Sequence, residues 1–139
     1  MSKAFWIDDI DLCLYVGNYR HMTNDQSILI LAALAQSTRL ESFRLLVKHE
    51  PEGLAAGDIA RALAVPHNTL SSHLAVLSHA GLVTSVRQSR TITYRANLDQ
   101  FRDLASYLLK DCCGGRPEIC APLIEELTVC CSPKEKACV

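Results

Sequence analysis

The sequence predicts a mainly α-helical fold carrying one β-hairpin, and three observations predict it. Apolar residues recur at three- and four-residue spacing through most of the 139-residue chain. That period gives way to β-branched, partly alternating residues in "LVTSVR" and "RTITYRA". Hydrophobic residues reach 49% while aromatics stop at 6%, which suits helices built mainly from Leu, Ala and Ile.

The length fits one domain with extensions. Three parts are expected: an N-terminal extension over 1–21, a folded domain over 22–113, and a cysteine-containing segment over 114–139. The first part reads poorly as domain sequence, and the His21-Met22 junction fits a second start or a leader joined to a foreign chain.

A helix is expected from Asn24 through Ile28, Leu31 and Ala35. A second follows at "STRL", with Ser37 as N-cap and Leu40, Phe43, Leu46 and Val47 as its apolar stripe. "HEPEG" at 49–53 ends it, because Pro and Gly both break helices. The run 55–65, "AAGDIARALAV", is short and helical, with Ile59 and Leu63 on one face.

Pro66 then opens a helix at its first turn, where a missing N–H costs nothing. Leu70, Leu74 and Leu77 line the inner face of that helix, polar residues stand opposite, and Gly81 stops it. Two consecutive helices, the second polar on its outer N-terminal face, suggest a helix-turn-helix. The hairpin after it, turning at Gln88-Ser89, makes the pattern a winged helix. The last helix expected, "LDQFRDLASYLLKDCC", has the stripe Leu98, Phe101, Ala105, Leu108 and Cys112 and stops at Gly114-Gly115.

The formal net charge of −1 excludes chain-wide attraction to nucleic acid, so DNA affinity has to come from a local patch. The second helix of a helix-turn-helix reads base edges from its N-terminal face. His67, Asn68, Thr69, Ser71, Ser72 and His73 are therefore the candidates for DNA contact. Arg87 and Arg90 flank the hairpin turn, where a charged tip reaches the minor groove, and Arg95 lies farther down the strand. His79 reads as a surface residue late in the helix.

The longest apolar stretch, "ILILAALA" at 28–35, is far below the roughly 20 residues of a membrane span. A soluble, cytoplasmic protein with no membrane partner is expected. No Ser/His/Asp set, carboxylate pair or phosphate loop points to an enzyme.

Seven cysteines are present and six of them lie from Cys112 onward, whereas a disulfide framework would be spread through the fold. "LLKDCCGGRPEIC", residues 108–120, holds Cys112, Cys113 and Cys120. Taken alone, it fits a disulfide, a zinc clip, a redox switch or a trap for a softer element.

Over about residues 24–113 the chain resembles the ArsR/SmtB family of winged-helix metalloregulators. "STRLESFRLL" is similar to the family's D/S-x-T-R-L-x-I-L-x-x-L helix. "NTLSSHLAVLSHAGLV" is similar to its S-x-S-x-H-L-x-x-L-x-x-A-G-L-V recognition helix, a highly specific match. Many members carry Arg where Ser72 stands, which shifts the expected affinity toward the wing.

The family's E-L-C-V-C-D-L arsenic segment aligns with "GLAAGDI", 53–59, where Ala55 and Gly57 replace its cysteines. Its zinc sensors use Asp and His between their last helices, yet all five histidines here precede the wing. What remains is similar to a C-terminal three-cysteine arsenite site in another branch. The resemblance implies a homodimeric repressor, cytoplasmic, on double-stranded operator DNA with an imperfect inverted repeat. Its inducer, As(III), would bind Cys112, Cys113 and Cys120, and no structural cofactor is implied. Pairing through the first helix and the Cys-ended last helix is expected.

The chemistry agrees with that implication. Structural zinc normally takes four protein ligands, whereas trivalent arsenic and antimony are thiophilic and complete with three sulfurs. Gly114-Gly115 allows the chain to reverse after the helix, and Pro117 stiffens the return that brings Cys120 back. Sb(III), methylarsenite with two thiolates, cadmium or lead with a further ligand, and thiol oxidation are the alternatives. Cys130, Cys131 and Cys138 read as accessory thiols or as part of a solvated tail, and Cys13 as incidental.

Overall fold

A computed structural model describes residues 22–109 and 116–130. They fall into two units that divide between Leu104 and Ala105. The first contains α1 (Asn24–Leu34), α2 (Ser37–Lys48), β1 (Leu54–Ala55), α3 (Ala56–Leu63), α4 (His67–His79), β2 (Val83–Gln88) and β3 (Thr91–Ala96). Helix α5 (Leu98–Leu109) begins in the first unit, and α6 (Pro117–Cys130) lies in the second. The expected class, mainly α with a β-hairpin wing, is the class observed.

Helix α1 starts at a reciprocal cap. The Gln26 N–H donates to the Thr23 hydroxyl at 3.2 Å, and the Thr23 N–H donates to the Gln26 side chain at 3.0 Å, which satisfies two otherwise orphaned donors. Its inner face is Ser27, Ile30 and Ala33, not the stripe through Ile28 and Leu31 read from the sequence. Those two residues are 55% and 43% exposed, because "ILILAAL" is apolar on every side and has no period to reveal the inner face.

In α2 the buried residues are Ser42, Phe43 and Leu46, while Leu40 and Val47 of the expected stripe are exposed. The N-cap is Gln36 rather than Ser37: its side-chain carbonyl accepts from the Arg39 N–H at 2.8 Å. Ser37 is the first helical residue, one position too late to cap.

Leu70, Leu74 and Leu77 of α4 are fully buried and close the core with Leu46, Ile59 and Leu82. Each such leucine contributes about 2 kcal/mol by leaving water. Pro66 sits just outside α4 as its N-cap. At the other end Gly81 takes φ +77°, its N–H donates to Ser78, and Leu82 donates back to Leu77, a Schellman ending with both leucines buried.

The sheet has the order β1-β3-β2, all antiparallel. Sequence periodicity gave no sign of two-residue β1. It is held by Leu54↔Tyr94 and Ala55↔Thr93, and Gly53 before it passes so close to β3 that a Cβ would stand 2.4 Å from the Tyr94 carbonyl oxygen. The wing pairs Val83↔Ala96 through Gln88↔Thr91. Its turn is therefore Ser89-Arg90, one residue later than expected, with Ser89 at φ +59°.

Helix α6 is a difference from the sequence reading, which treated 114–139 as loop and tail. Pro117 is its first residue, where proline is tolerated, and Pro122 lies inside it.

Candidate nucleic-acid interface

The period of α4 decides which side chains face solvent. With the leucines at 70, 74 and 77 turned inward, His67, Asn68, Thr69, Ser71 and Ser72 are all exposed, and His73 is half-buried. Five of the six expected contact residues thus share one open N-terminal face. Ser71 donates to the His67 carbonyl at 3.0 Å and Ser72 to that of Asn68 at 3.3 Å. Both hydroxyls keep acceptor capacity and can rotate to a phosphate or a base edge.

No Asp, Glu, Lys or Arg stands in the first turn of α4, so fixed positive charge comes from neighbouring elements. Arg87 and Arg90 are exposed on the wing, and Arg87 Nε reaches the Ser89 carbonyl at 3.4 Å, holding the tip together. Arg61 of α3, overlooked in the sequence, has a side chain 80% exposed and is paired with Asp58 one turn earlier. Its position in the first helix of the helix-turn-helix was the signal available, masked by the compensating aspartate.

Arg95 has a different role. It donates to Glu50 at 2.8 Å, joining the end of α2 to β3. The hydrogen bond to Glu50, reinforced by the carboxylate's charge, raises the pKa of this arginine further. It braces the base of the wing against the segment that follows α2.

Only part of the cysteine set falls within the described residues. Cys112 and Cys113 lie outside the described residues, as do Cys131 and Cys138, and Cys130 is the last residue of α6. Cys120 is half-buried in the first turn of α6, on a helix where a loop was expected, and it is disulfide-bonded. Among the described residues no group of three His, Cys, Asp or Glu side chains is arranged to hold a metal, and no helix is long and apolar enough to cross a membrane.

Comparison with known proteins agrees with this architecture. A model of a helix-turn-helix domain family matches residues 34–86. The transcriptional activator HlyU of Vibrio cholerae is 26% identical over 83 residues, covering 60% of this chain and 74% of HlyU. An ArsR-like transcriptional regulator from Rhodococcus is 27% identical at a TM-score of 0.55, covering 74% of this chain and 92% of that one. A transcriptional regulatory protein fragment from Mycobacterium bovis is 30% identical at a TM-score of 0.51, covering 61% and 89%. In solution that fragment is a homodimeric winged helix-turn-helix DNA-binding domain, described as a possible ArsR-family regulator. These relatives are transcriptional regulators and not enzymes. With the motifs in α2 and α4, the wing that follows and relatives of this kind, the chain belongs to the ArsR/SmtB family of winged-helix transcriptional regulators.

Proposed function

We propose that this protein is a homodimeric, arsenite-responsive repressor that leaves its operator when As(III) binds Cys112, Cys113 and Cys120. The observation that carries the DNA half is the division of α4. Its three leucines are fully buried while His67, Asn68, Thr69, Ser71 and Ser72 stand in solvent. A face so composed offers hydroxyls, an amide and imidazole to base edges, and the wing arginines supply phosphate contacts.

Dimerisation is supported by apolar surface that stays exposed among the described residues. Ile28, Leu29 and Leu31 on α1 and Leu98 and Phe101 on α5 are each 39–55% exposed. Covering that surface with a second copy sets two α4 helices about one DNA turn, or roughly 34 Å, apart over an imperfect inverted repeat.

For the inducer, three soft sulfurs in one segment suit As(III) or Sb(III) and leave hard cations unfavoured. As(III) must bind the DNA-free form more tightly than the DNA-bound form, since equal affinity shifts nothing. Fluorescence anisotropy of promoter DNA tests both halves, with reduced protein titrated with arsenite, antimonite, methylarsenite, cadmium and zinc. Release by arsenite that is absent in a Cys112→Ser/Cys113→Ser/Cys120→Ser variant is the expected result. Equal release from that variant excludes the site.

One observation favours a second function, thiol redox sensing: Cys120 is disulfide-bonded. Peroxide releasing the protein from DNA while arsenite does nothing selects that alternative.

A further inference from the structure

We infer that the groove between α1 and α4 is a binding site for a small organic acid, an aromatic or long aliphatic carboxylate whose charged end is received by Arg39 and His79. The site is separate from the cysteine segment and does not depend on the inducer assignment. Its volume is about 500 Å³, within the range of roughly 300–1,000 Å³ of small-molecule sites.

Small side chains create the space. Leu29, Ala32 and Ala33 of α1 form one wall, and Ala75 and Val76 of α4 form the other. The three alanines cannot fill the gap between the helices, although the residues beside this set in sequence, Ile30, Leu74 and Leu77, are fully buried. Leu29 and Val76 consequently remain 43% and 41% exposed. Leu29 stands about 100° around α1 from Ile28, so it borders both this groove and the outer surface of the helix.

The charged part of the groove has one sign. Arg39 and His79 line it, and no Asp or Glu does. Among the described residues neither side chain is paired with a carboxylate. Arg39 is half-buried and held by two backbone carbonyls, its Nε donating to Ala33 at 2.6 Å and its Nη2 to Ala32 at 3.4 Å. That grip fixes the guanidinium before a ligand arrives. Among the described residues it leaves Nη1, with the second N–H of Nη2, as an open two-pronged donor. Helix-end carbonyls carry about half an elementary charge, so roughly half of the arginine's positive charge stays uncompensated. His79, exposed in the last turn of α4, adds a ring N–H.

A molecule with an apolar body and one carboxylate matches both parts. Its body lies against the alanines, Leu29 and Val76, and its carboxylate accepts from Arg39 in two parallel hydrogen bonds. A neutral apolar molecule leaves these donors without an anion, and a cation is repelled.

The test titrates full-length, reduced protein with naphthylacetate, with the neutral analogue naphthylethanol and with the cationic naphthylethylamine, by calorimetry and by backbone amide chemical shifts. Naphthylacetate is expected to bind one site with Kd below about 1 mM, shifting the amides of Leu29, Ala32, Ala75 and Val76. The alcohol binds at least about tenfold more weakly, and the amine does not bind. Ala75→Trp, at an exposed helix position, fills the groove and weakens naphthylacetate at least about tenfold, with a thermal midpoint within a few degrees of the parent. Arg39→Gln brings the acid down to the affinity of the alcohol. Because Arg39 also closes the end of α1, a second comparison reads the charge without touching it: Ala75→Glu binds naphthylacetate at least about tenfold more weakly than Ala75→Gln, while the alcohol binds the two alike.

No binding of naphthylacetate to the parent overturns the inference, as do shifts confined to other parts of the fold. Equal affinity for acid and alcohol removes Arg39 and His79 as the receivers of a carboxylate. If the parent binds no acid and Ala75→Trp instead converts a dimer to a monomer in sedimentation, the groove belongs to a second copy of the chain and the inference fails.

Discussion

Arg39, third residue of α2, donates from Nε to the carbonyl of Ala33 at 2.6 Å, closing the end of α1 from the helix that follows. Its Nη2 reaches the Ala32 carbonyl at 3.4 Å. A fixed cation at a helix C-terminus satisfies orphaned carbonyls and opposes the macrodipole. This gives physical content to the Arg of "STRL". Arg39→Ala is expected to cost about 1–2 kcal/mol in urea unfolding, and Arg39→Lys to recover less than about half of it, because an ammonium lacks the planar fork.

Two glycines of "GLAAGDI" respond oppositely to alanine. Gly53 has φ +75° and its missing Cβ would lie 2.4 Å from the backbone oxygen of Tyr94, so neither strain nor clash can relax. Gly53→Ala is expected to lose about 2 kcal/mol or more. Gly57 is the second residue of α3, and a Cβ there meets no atom within 4 Å. Gly57→Ala is expected to gain about 0.5–1 kcal/mol from helix propensity and a less flexible unfolded chain. Denaturant midpoints at equal slope check both.

How much of this was legible depended on whether a residue's partner was near in sequence. Leu70, Leu74 and Leu77 announced the inner face of α4 because polar residues separate them. "ILILAAL" hid the inner face of α1, since a run without polar positions carries no phase, and the surplus Ile28 and Leu31 now suit a second copy. Ser37 suits a cap by residue type, yet the cap is Gln36, whose longer side chain reaches the Arg39 N–H from one position earlier. The two prolines and Gly114-Gly115 concealed α6. The hydrogen bond from the Asn97 side chain to the Gly81 carbonyl was invisible because that partner lies 16 residues earlier, which no motif records. For the cysteine set, the sequence supplied the residue types, and the structure adds the helical setting and the disulfide of Cys120.

Wing and recognition helix are expected to separate in their salt dependence. Arg87 and Arg90 are exposed, and the exposed N-terminal face of α4 carries no Lys or Arg. Replacing both arginines with Ala removes four cations from a dimer. At a slope change of about 0.9 per phosphate contact, the slope of log affinity against log salt becomes shallower by about 3 to 4, with sequence preference retained. Asn68→Ala leaves that slope unchanged and costs about 1–3 kcal/mol at the cognate site, while binding to unrelated DNA stays the same. Anisotropy titrations at several salt concentrations on cognate and scrambled duplexes read both quantities.

If the inducer site is the one proposed, the oxidation state of Cys120 decides whether arsenite finds all three of its ligands. A sulfur in a disulfide has no thiolate to offer, and arsenic(III) binds thiolates. Forming that bond takes two electrons and two protons from a pair of thiols; hydrogen peroxide accepts them and leaves as water. Protein oxidised with a small excess of peroxide is therefore expected to take up less arsenite than reduced protein, by at least about tenfold in apparent affinity, and to recover fully with dithiothreitol. In Cys120→Ser, peroxide changes arsenite uptake less than in the parent, and the residual affinity is that of the remaining thiols. Near-ultraviolet absorbance of the sulfur–arsenic bonds follows the titration directly, with no DNA required. Equal uptake by oxidised and reduced parent removes Cys120 from the ligand set.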